Sequence, residues 1–261
     1  MKNHTLILFL LFIFTIVSYS EKADYGQPEV NVESLQKDFT KWWTYYNERI
    51  DLSSDFIAID NSSNIISKEA FLQILITGKY IPVKLISKDT SKIYYKIYKL
   101  IETADKGIKD AIKYASIVEY EHYKMAGQKF PKFSFKDLNG RLYTNDNTKG
   151  KFVVLKCWYI NCKACVAEFP GLNEIVNQYK NRDDIVFVSL AFDKADALNE
   201  FLLKKPFNYA TVSDQKLYLM DTLKVSLYPT HFIIDRNGDI IKVVNRAVSL
   251  KTILANALKN N

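Results

Sequence analysis

The sequence predicts an α/β protein in two parts. A compact C-terminal α/β domain over residues 128–261, with a central mixed sheet flanked by helices, follows a smaller, mostly helical α/β module over residues 21–127. Two short apolar runs, Phe152-Val153-Val154-Leu155 and Ile185 to Phe192, read as buried strands, and a helix-periodic segment follows each. Two Asn-Gly pairs, Asn139-Gly140 and Asn237-Gly238, sit between apolar runs and mark hairpin turns. Gly127 ends the long helical pattern before it and places the boundary.

Residues 1–20 read as an export signal. Lys2 gives a positive start, Leu6 to Val17 is an apolar run of signal length and too short for a membrane span, and Ser18-Tyr19-Ser20 precedes a cleavage point at Glu21. An uncleaved N-terminal anchor is the alternative. No cysteine closely follows the run, which disfavours a lipid-anchored lipoprotein. Asp24 to Glu33 is a polar linker. Leu35, Phe39, Trp42, Trp43, Tyr46 and Ile50 recur at helical spacing and predict one amphipathic helix over Val32 to Ile50. Core packing is the expected use of that aromatic stripe, with a ligand-binding face as its alternative.

Phe56 to Ile59 is a strand ended by the turn cluster Asp60 to Asn64. Ser67 caps a helix from Lys68 to about Thr77, which Gly78 ends. Tyr80 to Ile86 is a strand that Pro82 assigns to an edge. Thr90 to Met125 reads as helix, divisible at Gly107, and His122 stands alone on it as a surface or interface residue.

The C-terminal domain opens with the Phe130–Thr144 hairpin. The strand from Lys151 then leads into a helix that runs from Cys165 to about Tyr179. The Ile185 strand and an Ala195–Lys204 helix closed by Pro206 come next. Lys216 to Leu223 is a short helix, His231 to Asp235 and Ile240 to Val244 form a second hairpin, and Ser249 caps a last helix, Leu250 to Leu258. From Lys151 the order is β-α-β-α-β-β-α, a parallel pair crossed by a helix and completed by an antiparallel hairpin.

Composition narrows the function. The chain is 48% hydrophobic, 14% aromatic and 25% charged, which is globular. Its net charge of +7 lies wholly in the second half, where 20 Lys/Arg face 13 Asp/Glu. Those lysines are scattered among acids, so nucleic acid is not the expected partner, and a basic surface favouring acidic partners is. Three cysteines are too few for a disulfide scaffold. Two of them, Cys162 and Cys165, form a Cys-x-x-Cys where the strand ends and the helix begins. The third, Cys157, falls on the strand and reads as a buried structural thiol. The strand–helix junction matters because a helix N-terminus stabilises an anion, and the thiolate is the reactive form of cysteine.

Lys149 to Pro170 and Tyr228 to Asp235 resemble the thioredoxin fold, and most of all the TlpA/ResA-like thiol–disulfide oxidoreductases of the bacterial cell envelope. The residues that carry the resemblance are Lys149-Gly150-Lys151, Trp158, Cys162, Cys165, Glu168 and Pro170, then Tyr228-Pro229-Thr230 and Asn237-Gly238. The resemblance covers about half the chain. It implies a cis proline at Pro229, an active-site glutamate at Glu168, and substrate contacts from Trp158, Tyr228, Pro229 and Thr230. No metal or organic cofactor is implied, since the Cys162–Cys165 disulfide is itself the redox group.

The residues give each role a physical basis. Cys162, nearer the helix N-terminus and solvent, is the expected attacking thiol, favoured as thiolate by the helix end and Lys163. Cys165, one turn further in, is the expected resolving thiol. A more buried thiol needs a base, and Glu168 on the same helix face is the candidate proton carrier, with simple dipole complementation as its alternative. Backbone at Tyr228 is available to pair with an extended substrate chain. Three positions depart from the family pattern. Asn161 replaces an aromatic residue, Lys163-Ala164 lacks a proline, and Lys156 stands where thioredoxin keeps a buried acid. Lys156, Asn161 and Lys163 are therefore the expected redox-tuning positions, Lys156 only if it points inward.

Two other classes fit the residues less well. A peroxiredoxin-like peroxidase requires Pro-x-x-x-Thr-x-x-Cys, and Tyr159 stands where the threonine belongs. A copper-handling protein would use Cys162, Cys165 and His231, but the cysteine spacing is one residue short. The expectation is an exported enzyme that exchanges disulfides with protein thiols of the periplasm or cell envelope, as a reductase, fed by an upstream electron donor at the membrane.

Overall fold

The computed structural model describes residues 25–259, so the export signal expected over residues 1–20 lies outside the described residues. The first part begins with β1 (Tyr25–Pro28), a strand where the sequence reads as linker, then α1 (Val32–Gln36) and α2 (Phe39–Arg49). The single expected helix is thus two. Asp38 caps α2 by accepting the Lys41 N–H, and that cap starts a new helix where the first one ends. There follow β2 (Ile57–Ile59), β3 (Ile65–Ile66), α3 (Lys68–Ile76) with Ser67 as its cap, and β4 (Tyr80–Ser87).

The expected long helix from Thr90 begins instead as β5 (Tyr94–Lys99), and α4 runs only over Lys106–Met125. A six-residue Tyr/Ile/Lys run matches either period, and pairing with β4 and β2 on its two sides decides for strand. Gly107 therefore opens α4 rather than breaking it. A Cβ there would meet the Phe39 ring at 3.0 Å, so glycine lets α2 approach closely. The sheet order is β1-β4-β5-β2-β3. Strand β4 is an inner strand, not the expected edge. But β1 pairs with it only at Leu85 and Ser87, away from Pro82, whose missing N–H is thus harmless.

The second part opens with the hairpin β6 (Ser134–Lys136) and β7 (Leu142–Thr144), turning at Gly140 with φ +82°. Then come β8 (Phe152–Trp158), α5 (Lys163–Ala167), α6 (Phe169–Gln178), β9 (Ile185–Ala191) and α7 (Ala195–Lys204). Strand β10 (Ala210–Val212) is short and went unread in the sequence. A one-turn π-helix at Tyr218–Thr222 stands for the expected short helix. Strands β11 (Thr230–Ile234) and β12 (Ile240–Val244) form the closing hairpin, and α8 (Ala247–Lys259) ends the described chain.

The sheet order is β10-β9-β8-β11-β12, with β8, β9 and β10 parallel and β11 antiparallel to β8. Every residue of β8 is buried, as its unbroken apolar run requires of a central strand. Val153, Leu155 and Cys157 pack on one face with Phe232 and Ile234. Phe152 and Val154 pack on the other against Leu172, Ile175, Leu250 and Leu254. This is the thioredoxin-fold plan, and the N-terminal part carries its own separate sheet.

The two sheets are joined by directed polar contacts. Arg246 donates to the carbonyl oxygens of Asn47 and Ile50, each at 2.7 Å. Ser249 Oγ donates to Asp51 at 2.7 Å, Lys242 pairs with Asp55 at 3.0 Å, and Tyr114 donates to the Ser226 carbonyl at 3.2 Å. His122, expected at a surface or interface, is buried on α4, which packs on β12. Loss of hydration pushes its imidazole down to about 4.

Candidate active site

Cys162 and Cys165 are joined by a disulfide. Cys162 is the N-cap of α5, and its sulfur accepts the Cys165 N–H at 3.2 Å. A sulfur so placed meets free N–H groups of a first helical turn, the setting that favours a thiolate. Cys162 keeps 6% of its surface exposed and Cys165 none, the expected ordering for an attacking and a resolving thiol. Helix α5 stops at Glu168, because Pro170 cannot donate a hydrogen bond back into it, and α6 continues from there.

That junction aims Glu168 inward. Its Oε2 accepts from Lys156 Nζ at 2.7 Å and lies 3.0 Å from His231 Nε2, and its Oε1 accepts the Ala247 N–H at 2.8 Å. Lys156 and His231 are cross-strand partners on β8 and β11, so their side chains share one face. Both are fully buried. Burial alone would raise the Glu168 carboxyl, but the hydrogen bond and charge of His231 and the charge of Lys156 outweigh it and hold the carboxyl at about 2. Burial lowers Lys156, with Glu168 opposing. It also lowers His231, and the Lys156 charge adds to that effect. With His231 Nε2 turned to Glu168, its Nδ1 has no hydrogen-bond partner. Lys156 thus points inward, but toward Glu168. Ser249, read as the cap of the last helix, lies inside α8, and Glu168 takes the first N–H instead.

The Tyr228–Pro229 peptide bond is cis, as the resemblance implied. Thr230 Oγ1 donates to the Leu227 carbonyl at 2.6 Å. Asn245 Nδ2 donates to both the Pro229 carbonyl and Thr230 Oγ1, at 2.7 and 2.8 Å. Asn245 went unread in the sequence because nothing local marks it; the pairing of β11 with β12 brings it there. Trp158, expected to touch substrate, is fully buried and packs edge-on against Phe169 at 5.0 Å, in one apolar cluster with Cys162 and Cys165. It ends a strand buried on both faces, so its ring has no outward course. Asn161 and Lys163 are exposed beside the thiols. Cys157 is a free thiol, buried on the opposite face of β8 and pushed well above the usual range by burial. Among the described residues no group of three His, Cys, Asp or Glu side chains is placed to hold a metal ion.

The family model for AhpC/TSA proteins matches residues 126–243. The thiol–disulfide oxidoreductase ResA of Bacillus thuringiensis subsp. konkukian is 30% identical over 119 residues, 45% of this chain and 68% of that protein. ResA of Bacillus subtilis is 32% identical over 119 residues, 45% of this chain and 66% of its own. The chain belongs to the AhpC/TSA redoxin family. Within it the chain is a thiol–disulfide oxidoreductase of ResA type, with Cys162–Cys165 as its active-site disulfide. Among solved structures, a DsbE-like thiol:disulfide interchange protein from Chlorobium tepidum superposes with a TM-score of 0.47 at 27% identity, over 51% of this chain and 97% of that one.

Proposed function

We propose that this oxidoreductase works outside the cytoplasm, in the periplasm or cell envelope, as a reductase of disulfides in exported proteins. The observation that carries the reading is the unequal pair of thiols. Cys162 caps a helix and keeps a small exposed surface, and Cys165 is fully buried. The apolar run from Leu6 to Val17 supports the address.

In the proposed cycle the Cys162 thiolate attacks a substrate disulfide, and one substrate sulfur leaves and takes up a proton. Cys165, deprotonated, then attacks the Cys162 sulfur and releases the second substrate thiol. The substrate leaves as two thiols carrying the two electrons, Cys162 and Cys165 are left oxidised as the disulfide, and an upstream donor at the membrane reduces it again. Glu168, Lys156 and His231 form the polar network through which the Cys165 proton is handled. Pinned by its donors, Glu168 serves as the fixed charge of that network, and the unpartnered Nδ1 of His231 is its open acceptor. The Tyr228–Pro229–Thr230 loop, clamped by Asn245, receives the substrate backbone as an added strand.

Cys162→Ser is expected to abolish reduction of a protein disulfide, and Cys165→Ala to accumulate a mixed disulfide with substrate, read by mass spectrometry. Full activity of the first variant would refute the mechanism. The reduction potential tests the direction: a reductase lies near the thioredoxin value of about −270 mV, and a value near about −120 mV would make the protein an oxidant.

A further inference from the structure

A cleft of about 520 Å³ that reaches Ala164 runs between the N-terminal sheet's helices and the cis-proline loop. This is within the size range of ligand sites, roughly 300–1,000 Å³. Ala164, between the two cysteines, and Tyr228-Pro229 form one wall. Phe39, Trp43 and Tyr46 of α2 and Tyr114 of α4 form the other. The aromatic stripe of α2 therefore divides. Trp42 and Tyr45 enter the core and Phe39 and Tyr46 pack half-buried at its border, while Trp43 lies exposed between them along the cleft, 9° from the Phe39 plane and 16° from that of Tyr46. Trp43 and Tyr114 remain 42% and 50% exposed, large apolar surfaces left open in the cleft that Ala164 also lines.

Two polar groups of the cleft remain open to an occupant, Asn245 Oδ1, which has no hydrogen-bond partner, and the Glu119 carboxyl, which burial raises to about 7; the others are engaged within the fold. Arg246 is held by Asn47, Ile50 and Asp51; Asp51 also accepts from Ser53 and Ser249; Asn245 clamps the loop. Most of what the cleft offers an occupant is aromatic and aliphatic surface. Its lining includes Ala164, between the two cysteines, and the cis Pro229, so its occupant is the chain joined to Cys162 during exchange.

We infer that this cleft is a specificity site for an aromatic or large aliphatic side chain of the protein substrate, two residues from the target cysteine. The inference rests on the proposed exchange with protein substrates and adds which of them are selected. In an extended chain alternate side chains share a face, about 7 Å apart. The target cysteine must face Cys162, so its second neighbours face the cleft and its first neighbours do not. The N-terminal module supplies the discriminating wall and stands apart from the redox chemistry.

The test uses full-length Cys165→Ala protein, reduced, and cysteine peptides activated as mixed disulfides with thionitrobenzoate. The Cys162 thiolate attacks the peptide sulfur, a Cys162–peptide disulfide forms, and coloured thionitrobenzoate leaves with the electron pair. Tryptophan or leucine is moved from three residues before the cysteine to three after, on a glycine background. The expected second-order rate constant rises about tenfold with tryptophan or leucine at a second neighbour, and less than about twofold at a first neighbour, as burial of part of one large side chain allows. In Trp43→Ala, and in Ala115→Trp, which fills the cleft, the ratio between second-neighbour tryptophan and glycine falls toward one. This ratio is taken within each variant, so the fraction that folds does not affect it. Equal rates for all peptides in the Cys165→Ala parent, or an unchanged ratio in both cleft variants, overturn the inference and leave the proposed function standing. No thionitrobenzoate release from any peptide overturns both.

Discussion

Glu168→Gln removes the charge from the centre of the buried network while keeping its shape and one acceptor oxygen. The carboxyl is held at about 2 in the folded protein against an ordinary 4.5. That difference, at about 1.36 kcal/mol per pH unit, is worth about 3 kcal/mol of stability. Because the folded value is depressed, the contribution is fully present above pH 4.5 and is lost as pH falls through 2. At pH 7 the variant should therefore lose at least about 3 kcal/mol, since Lys156 is left buried without its counter-charge. Urea unfolding of the oxidised full-length protein, followed by circular dichroism at pH 7 and at steps down to pH 2.5, measures both effects. Other carboxylates titrate in the same range, so the informative quantity is parent minus variant, which should shrink by most of that amount on acidification. The double variant Lys156→Met/Glu168→Gln should recover a large part of the loss at pH 7, because it removes the stranded cation. A Glu168→Gln variant within 1 kcal/mol of the parent at pH 7, or a parent-minus-variant difference that stays flat with pH, would refute the reasoning.

Asn245→Ala unties the Pro229 carbonyl and Thr230 Oγ1, and should cost about 1–3 kcal/mol. Its KM for a protein disulfide should rise more than its KM for a small disulfide, since only the former uses the loop backbone. Cys157→Ser places a hydroxyl in an apolar site and should destabilise by about 1–3 kcal/mol in urea melts, with the Cys162–Cys165 reduction potential unchanged. Arg246→Ala leaves the Asn47 and Ile50 carbonyls and Asp51 short of a donor, at about 2–3 kcal/mol. Limited proteolysis should then cut α2 sooner, and unchanged protection there would show that Arg246 does not hold the module.

The redox centre was legible because it is local. An apolar strand, a Cys-x-x-Cys and a helical period follow one another within about twenty residues, and backbone geometry alone puts Cys162 at the helix end and Cys165 behind it. The Asn-Gly hairpins were legible for the same reason: the glycines supply the φ of +82° at Gly140 and Gly238. Elements whose identity depends on neighbours were not. Strand β5 carries a pattern short enough to be read as helix, and β10 only three residues; pairing made both strands. The state of Glu168 belongs to this second group. Its place on the helix can be read from the sequence, but Lys156 comes from β8, His231 from β11 and the Ala247 N–H from α8, and only their convergence holds the carboxyl ionised. The same is true of the aromatic stripe on α2. Local pattern was enough for the two thiols and their order of exposure, and the resemblance added the cis proline at Pro229. That Trp43 stands exposed in the cleft while its neighbours Trp42 and Tyr45 are buried came from the tertiary structure, because which face of an amphipathic helix is buried depends on what packs beside it.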